Sequence, residues 1–191
     1  TSIRTGWFYH PEEDTDVRTA DELLDIYLDA VGANASLLLN IPPDTHGRIA
    51  APDCASLAEL GTKIQQIFAG NVTEKAKITA DSAIAQHPIT QAVDGMADTY
   101  WQAAYGQEFD TITLKFPKPQ KVSCVVLGEH LPTGQRIESG EIWADGSKTS
   151  EFTVVGHKRI CCFTPVDVQT LTIKITASRT EPTLRLLEVY Q

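Results

Sequence analysis

The spacing of apolar residues changes character near Asn71, and that change constrains the fold more than any single motif. Ahead of Asn71, helical patterns alternate with a continuous apolar run; beyond it, nearly every apolar segment repeats with a period of two. Thr19 and Glu22 form an S/T-x-x-E capping box, in which each side chain satisfies a backbone donor of the other. Leu23, Leu24, Tyr27, Leu28 and Val31 follow at helical spacing, and Gly32 is placed to end the helix in a left-handed conformation. The run from Ala35 to Ile41 does not alternate, as expected of a strand covered on both faces in a parallel sheet or barrel. Pro42-Pro43 ends it, since neither residue donates to a ladder. A second helix is expected from about Pro52 to Phe68, with Leu57, Leu60, Ile64, Ile67 and Phe68 as its apolar stripe.

Beyond Asn71 the alternation is clear in Leu171, Ile173 and Ile175 against Thr172, Lys174 and Thr176. Segments Thr111 to Phe116, Lys121 to Gly128, Glu151 to Val155 and Leu184 to Tyr190 behave alike. Turn signals at Asp94-Gly95, Pro117-Lys118-Pro119, Pro132-Thr133-Gly134 and Asp145-Gly146 separate them. The pattern predicts an all-β antiparallel sandwich over 71–191, after an α/β segment over 1–70. A lone strand-helix-strand-helix unit cannot bury the faces of its sheet, and two parallel strands do not close a barrel. The front is therefore expected to be incomplete, the end of something larger.

Composition excludes several functions. The net charge of −9, with 16 basic residues scattered along the chain, argues against nucleic-acid binding, which needs clustered Lys and Arg. No apolar run is long enough to span a membrane. The four cysteines show no CxxC spacing for zinc or redox work. Cys161 and Cys162 are adjacent in a strand pattern and should face opposite ways. Small buried hydrophobes are the simplest reading of the cysteines, with a bridge from Cys124 to Cys161 or Cys162 left open. Of the two glycosylation sequons, at Asn34 and Asn71, only Asn71 has the sequence context of a surface site.

Arg4, Trp7, Tyr9 and His10 sit where a barrel strand ends and its loop begins, the face that carries active sites in such barrels. Trp7 suits stacking on the apolar face of a sugar, and Arg4 and His10 suit binding its hydroxyls. On position alone Trp7 and Tyr9 fit a plug at the barrel end equally well. Asn40 is better placed to pin a loop than to bind substrate, and Asp44 with Gly47 reads as a turn. A retaining glycosidase needs two carboxyl groups about 5–5.5 Å apart. Glu12, Glu13 and Asp14 read as a solvated loop, and Asp21, Glu22, Asp25 and Asp29 as the polar side of a helix. No GxSxG, HExxH or P-loop occurs. The catalytic carboxylates are expected outside this chain. In Asp94 to Trp101, an Asp side chain, backbone carbonyls and the Thr99 hydroxyl offer the oxygen ligands Ca²⁺ prefers, with Glu188 as a closing ligand. Taken alone, a structural turn is the simpler reading. Trp101 is expected in the core, its indole N–H seeking a partner.

The segment Ser2-Ile3-Arg4-Thr5-Gly6-Trp7-Phe8-Tyr9-His10 resembles the S-I-R-P-G-W-F-Y-H element of α-L-fucosidases of glycoside hydrolase family 29, closest to the subgroup acting on α-1,3/1,4-linked fucose. Thr5 stands where that element has Pro. Leu24 to Tyr27, Val31 to Ala35 and Leu37 to Asp44 resemble the family's closing barrel helix and last strand. Leu131 to Arg136, Gly156 to Ile160 and Ile175 to Arg179 resemble its carboxy-terminal module. The resemblance implies that residues 1–70 are the tail of a (β/α)8 TIM barrel and the chain a carboxy-terminal fragment of a retaining exo-fucosidase acting on fucosylated glycans, with an Asp nucleophile and a Glu acid/base upstream of Thr1. It also implies that Trp7 and His10 line the fucose pocket. Asp94-Gly95 to Thr99 with Trp101 is further similar to discoidin, or coagulation-factor type C, modules. In their calcium-binding members the ligands correspond to Asp94, Thr99, the carbonyls of Gln91 and Met96, and Glu188. No catalytic cofactor is implied, and a periplasmic or extracellular location is expected. A stand-alone carbohydrate-binding module is the alternative reading.

Overall fold

The computed structural model describes residues 1–191, which divide into two compact units. The first holds Thr1–Val31 and Ala35–Gln66; the second holds Gly32–Asn34 and Ile67–Gln191.

In the first unit, α1 (Ala20–Val31) starts at the expected capping box. The Thr19 amide donates to Glu22 Oε2 at 2.8 Å, and the Glu22 amide donates to Thr19 Oγ1 at 3.3 Å. The Thr19 amide, then its hydroxyl, hold the Glu22 carboxyl below its usual pKa. The left-handed residue after the helix is Asn34 (φ 70°), two positions beyond the expected Gly32. An Asn side chain tolerates this region by hydrogen-bonding backbone nearby, and Asn34 Oδ1 accepts from the His157 amide at 2.6 Å. The second helix, α2, runs over Ala51–Ile67. The two helices enclose a small core of Ile3, Ala20, Leu23 and Leu60, with Leu24, Leu57 and Ile64 partly buried against it.

The expected strand over Ala35 to Ile41 does not form. Its only ladder contact is a single parallel bridge between Ser2 and Asn40, and Leu38 is 77% exposed. A continuous apolar strand needs a neighbour on each edge and cover on each face. Within these residues it has one bridge partner, and its cover is limited to the small core against which Leu39 and Ile41 pack.

The second unit is antiparallel throughout. Its strands are β1 (Lys77–Ala80), β2 (Trp101–Gln102), β3 (Asp110–Gly128), β4 (Ile137–Ala144), β5 (Ser147–Phe152), β6 (Arg159–Ser178), β7 (Thr183–Leu184) and β8 (Leu186–Tyr190). The main sheet has the order β1-β3-β6-β4-β5, with β8 also on β3, and β2 pairs with β7. One core takes Ile112 and Leu114 from the first half of β3 and Val122, Val125 and Leu127 from its second half, together with Trp101 and Leu184.

Pro117-Lys118-Pro119, expected as a turn, lies inside β3. The register with β6 jumps there, from Lys115 opposite Thr170 to Gln120 opposite Val168. Prolines are tolerated in a strand where the ladder is interrupted, and here all three residues are exposed. Asp145-Gly146, expected as a turn, closes the hairpin between β4 and β5. Both residues have positive φ, 44° and 85°, as a two-residue turn matched to strand twist requires. β4 contains Gly140, where a Cβ would run into the Phe152 ring and the Lys174 carbonyl.

Candidate functional site

The aromatic loop after Ser2 is held by backbone anchors rather than by its own packing. Ile3 is buried in the small core, and its amide donates to the Asn40 carbonyl at 3.0 Å. Asn40 Nδ2 then donates to the Trp7 carbonyl at 2.8 Å and to Ser2 Oγ at 3.2 Å, so Asn40 pins the loop. Ser2 Oγ donates to the Gly6 carbonyl at 2.9 Å. The loop closes in a 3-10 turn over Pro11–Glu13.

Arg4 does not reach the surface. Its Nε donates to Asp53 Oδ2 at 3.1 Å, its Nη2 to Asp14 Oδ1 at 2.7 Å, and its Nη1 to the His10 carbonyl at 3.4 Å. Asp53 Oδ1 lies 3.0 Å from Nη2, and both the Arg4 and Asp53 side chains are fully buried. Burial works against the charged guanidinium, but the hydrogen bonds to Asp53 and Asp14 outweigh it and raise its pKa. The Tyr9 ring covers the guanidinium carbon at 4.7 Å from its centroid, and its hydroxyl donates to Asp14 Oδ2 at 3.4 Å. Arg4 therefore fixes the loop from beneath, through the His10 carbonyl and the Asp14 carboxylate. Trp7, Phe8 and the His10 ring are left at the surface, Trp7 54% exposed and Phe8 74%.

Among the carboxylates around this loop, Asp14 and Asp53 are committed to Arg4, Asp16 Oδ2 accepts from the Thr5 hydroxyl at 2.8 Å, and Glu12 Oε1 lies 3.9 Å from His10 Nδ1. Asp53 was not singled out above. An acidic residue in the first turn of a helix ordinarily complements the helix dipole at the surface, so nothing in the sequence signals its burial. Asp44 makes the expected turn: its Oδ1 accepts from the amides of His46 and Arg48 at 2.8 and 2.9 Å, with Gly47 at φ 76°.

In the second unit, Asp94, Met96 and Thr99 are brought together. Thr99 Oγ1 lies 2.9 and 2.8 Å from the two Asp94 carboxylate oxygens and 3.3 Å from the Met96 carbonyl. The Met96 amide donates to Asp94 Oδ1 at 2.9 Å across Gly95, whose φ is 73°. Glu188 borders the same cavity of about 150 Å³ as Asp94, together with Glu74 and Asn71. Glu188 Oε2 accepts from the Tyr190 hydroxyl at 2.9 Å. The Gln91 side chain points elsewhere, its Oε1 lying 3.2 Å from His87 Nδ1. No cluster of three or more His, Cys, Asp or Glu side chains is arranged to hold a metal.

Trp101 is completely buried, and its indole N–H donates to the Ser82 carbonyl at 3.0 Å. Two further features escaped the sequence. The Tyr100 ring is sandwiched between His87 and His130, with centroids 3.9 and 3.8 Å away. Glu129 is fully buried and accepts from the amides of Arg136, Ile137 and Gly156 at 2.7, 2.9 and 2.6 Å. A single Glu between Gly128 and His130 carries no pattern that would reveal either its burial or its partners.

The family model described as Alpha-L-fucosidase matches residues 1–66. Alpha-L-fucosidase 1 of Arabidopsis thaliana is 31% identical over 99% of this chain, and the chain spans 39% of that protein's length. The crystal structure of a candidate α-L-fucosidase from Bacteroides thetaiotaomicron superposes with a TM-score of 0.93 at 30% identity. It covers all of this chain, and the chain covers 43% of it. A chitosan-binding module from a Paenibacillus chitosanase/glucanase shares 63% of this chain and 98% of its own length. Its TM-score of 0.57 at 21% identity shows a common fold only. The chain is related to α-L-fucosidases, and it spans 39–43% of the length of the two fucosidase relatives described. No helix is long and apolar enough to cross a membrane.

Proposed function

We propose that this chain is the carboxy-terminal part of a retaining exo-α-L-fucosidase that releases terminal fucose from glycans in the periplasm or outside the cell. In this reading residues 1–70 are the last segment of its (β/α)8 barrel and 71–191 a discoidin-like sandwich. The observation that carries it is a mismatch of lengths. The relatives match essentially the whole chain, yet the chain answers to only 39–43% of their own length. The first unit supports the same reading, since it buries only five apolar side chains and leaves Leu38 and Phe8 open. The remainder of the barrel is the natural cover for such a surface.

Catalysis of this kind uses one carboxylate as nucleophile and one carboxylic acid as proton donor. Asp14 and Asp53 are neutralised by Arg4 and do not fit those roles. The reacting pair belongs to the rest of the barrel. The part played by this chain is recognition: Trp7 stacks on the apolar face of fucose, His10 binds a hydroxyl, and Arg4 is a positioning residue that holds the His10 backbone. On nitrophenyl α-L-fucoside the isolated chain is expected to give no turnover, and the polypeptide carrying the whole barrel is expected to give it. Hydrolysis by the chain alone refutes the placement of the carboxylates, and inactivity of the whole polypeptide refutes the fucosidase reading.

A non-catalytic carbohydrate-binding module is the second reading, favoured by the fold shared with the chitosan-binding module. Glycan-array binding by the full chain, with no dependence on Trp7, separates it from the first.

Calcium is a further element of the proposal. The groups offered at the Asp94 turn are all oxygens, and Glu188 borders the same cavity as Asp94, which suits a hard cation. Asp94, Thr99, Glu188 and the carbonyls of Gln91 and Met96 would hold it, and it would brace the turn without entering the reaction. At millimolar affinity, about 10 mM Ca²⁺ should raise the melting temperature by roughly 5 °C, reversibly with chelator. Asp94→Ala should abolish that rise. A wild-type melting temperature indifferent to calcium removes this element.

A further inference from the structure

Cys124 and Cys162 face each other across the β3–β6 ladder, Cα partners in register, with their sulfurs 3.0 Å apart. Cross-strand neighbours have the Cα spacing that a disulfide accepts. The two thiols differ in access. Cys162 is exposed, whereas Cys124 is buried on the central strand, with Tyr190 of β8 opposite it on its other side. Cys161 points the other way, into the core, and Cys54 lies on α2. All four thiols are free.

We propose that Cys124 and Cys162 form an oxidisable dithiol, which a low-molecular-weight disulfide such as oxidised glutathione converts into a cross-strand bridge. The exposed Cys162 sulfur, as thiolate, attacks one sulfur of the glutathione disulfide. A mixed disulfide forms on Cys162, and one glutathione leaves as thiolate. Cys124 then loses its proton to solvent, and its sulfur attacks Cys162 Sγ. The protein S–S bond forms, the bond to glutathione breaks, and the second glutathione leaves as thiolate. Two protein thiols are oxidised to one disulfide, and one glutathione disulfide is reduced to two thiols.

The chemistry of the pair supports this order of attack. The Cys124 S–H can donate to the Cys162 thiolate, which lowers the Cys162 pKa, while the same contact and burial raise that of Cys124. The first attacker is thereby the accessible sulfur, and the resolving thiol is the shielded one beside it. The site has a structural consequence as well. The register of β3 on β6 shifts between Val122 and Cys124, so the bridge would clamp the ladder immediately beyond an irregularity. It would also close a loop between residues 38 apart in sequence, which holds the β4–β5 hairpin.

The test treats the full chain with oxidised glutathione at mildly alkaline pH. The expected product has lost two hydrogen atoms by intact mass and titrates two thiols in place of four, and its peptide map joins Cys124 to Cys162. Its melting temperature should lie about 5–10 °C above that of the reduced chain. Cys124→Ser should stop at one glutathione on Cys162, and Cys161→Ser should cross-link normally. Should Cys124→Ser fail to fold, Cys162→Ser replaces an exposed side chain. It should form no bridge and melt at the same temperature with and without oxidant. Four thiols persisting after oxidation, or a bridge that involves Cys161 or Cys54, overturns the proposal.

Discussion

Asp53→Ala is expected to destabilise the chain by about 3–5 kcal/mol, because it strands the buried Arg4 guanidinium beside an apolar void. Neither side chain has any exposure, so water cannot replace the lost carboxylate without opening the unit. Asp14 cannot compensate, since it already binds Nη2 and is partly solvated. Urea unfolding followed by the helical signal measures the effect. The informative partner is the double variant Arg4→Met with Asp53→Leu, which removes both charges. It should recover a large part of the loss, because a buried ion pair and an apolar pair of similar volume are often close in stability. An Asp53→Ala chain within 1 kcal/mol of wild type would mean that Arg4 finds another route to solvent. In the proposed enzyme the same variant should loosen the Trp7 and His10 loop, since Arg4 holds the His10 carbonyl.

Trp101→Ala should cost about 3–5 kcal/mol in the second unit, the usual range for emptying a fully buried aromatic site. The indole is completely enclosed, and its N–H satisfies the Ser82 carbonyl, so truncation leaves both a cavity and an unpaired acceptor. Trp101→Phe keeps much of the volume and loses the donor, so it should fall between the two. Trp7→Ala is the natural control: that side chain is more than half exposed, and its removal should change stability by less than about 0.5 kcal/mol. Chemical denaturation of the three variants against wild type gives the comparison. If Trp7→Ala proves as costly as Trp101→Ala, the aromatic loop serves as a structural plug rather than a recognition surface.

What could be read from the residues divides along physical lines. The capping box at Thr19 and Glu22, the stripe of α2 and the paired positive φ of Asp145-Gly146 are local devices, and each was legible. The alternation in β6 was legible because one face of that strand is solvated. The run Ala35 to Ile41 was misleading, because its pattern describes cover on both faces, and these residues cover Leu39 and Ile41 but not Leu38. Pro117-Lys118-Pro119 was misread because proline marks either a turn or an interrupted ladder, and only the register decides between them. β4 went unnoticed because Gly140 breaks its alternation, and the reason for that glycine is the Phe152 ring on the neighbouring strand. At the candidate site, Trp7, Tyr9 and His10 drew attention by their place at the head of a loop, and Trp7 and the His10 ring are exposed there. The burial of Arg4 was hidden because its partner Asp53 is 49 residues away. Sequence spacing carries no information about such a pairing.

Glu129 ties together connections at one end of the main sheet of the second unit. One carboxylate gathers amides from the segment leading into β4 and from the connection between β5 and β6, while its own backbone continues from the end of β3. Those connections cannot be remodelled one at a time. An insertion that lifts Gly156 away leaves an oxygen without a proton to accept at the base of its neighbour. Variation in this region of the molecule should therefore be inherited as a block, with length changes in one connection matched by changes in the other.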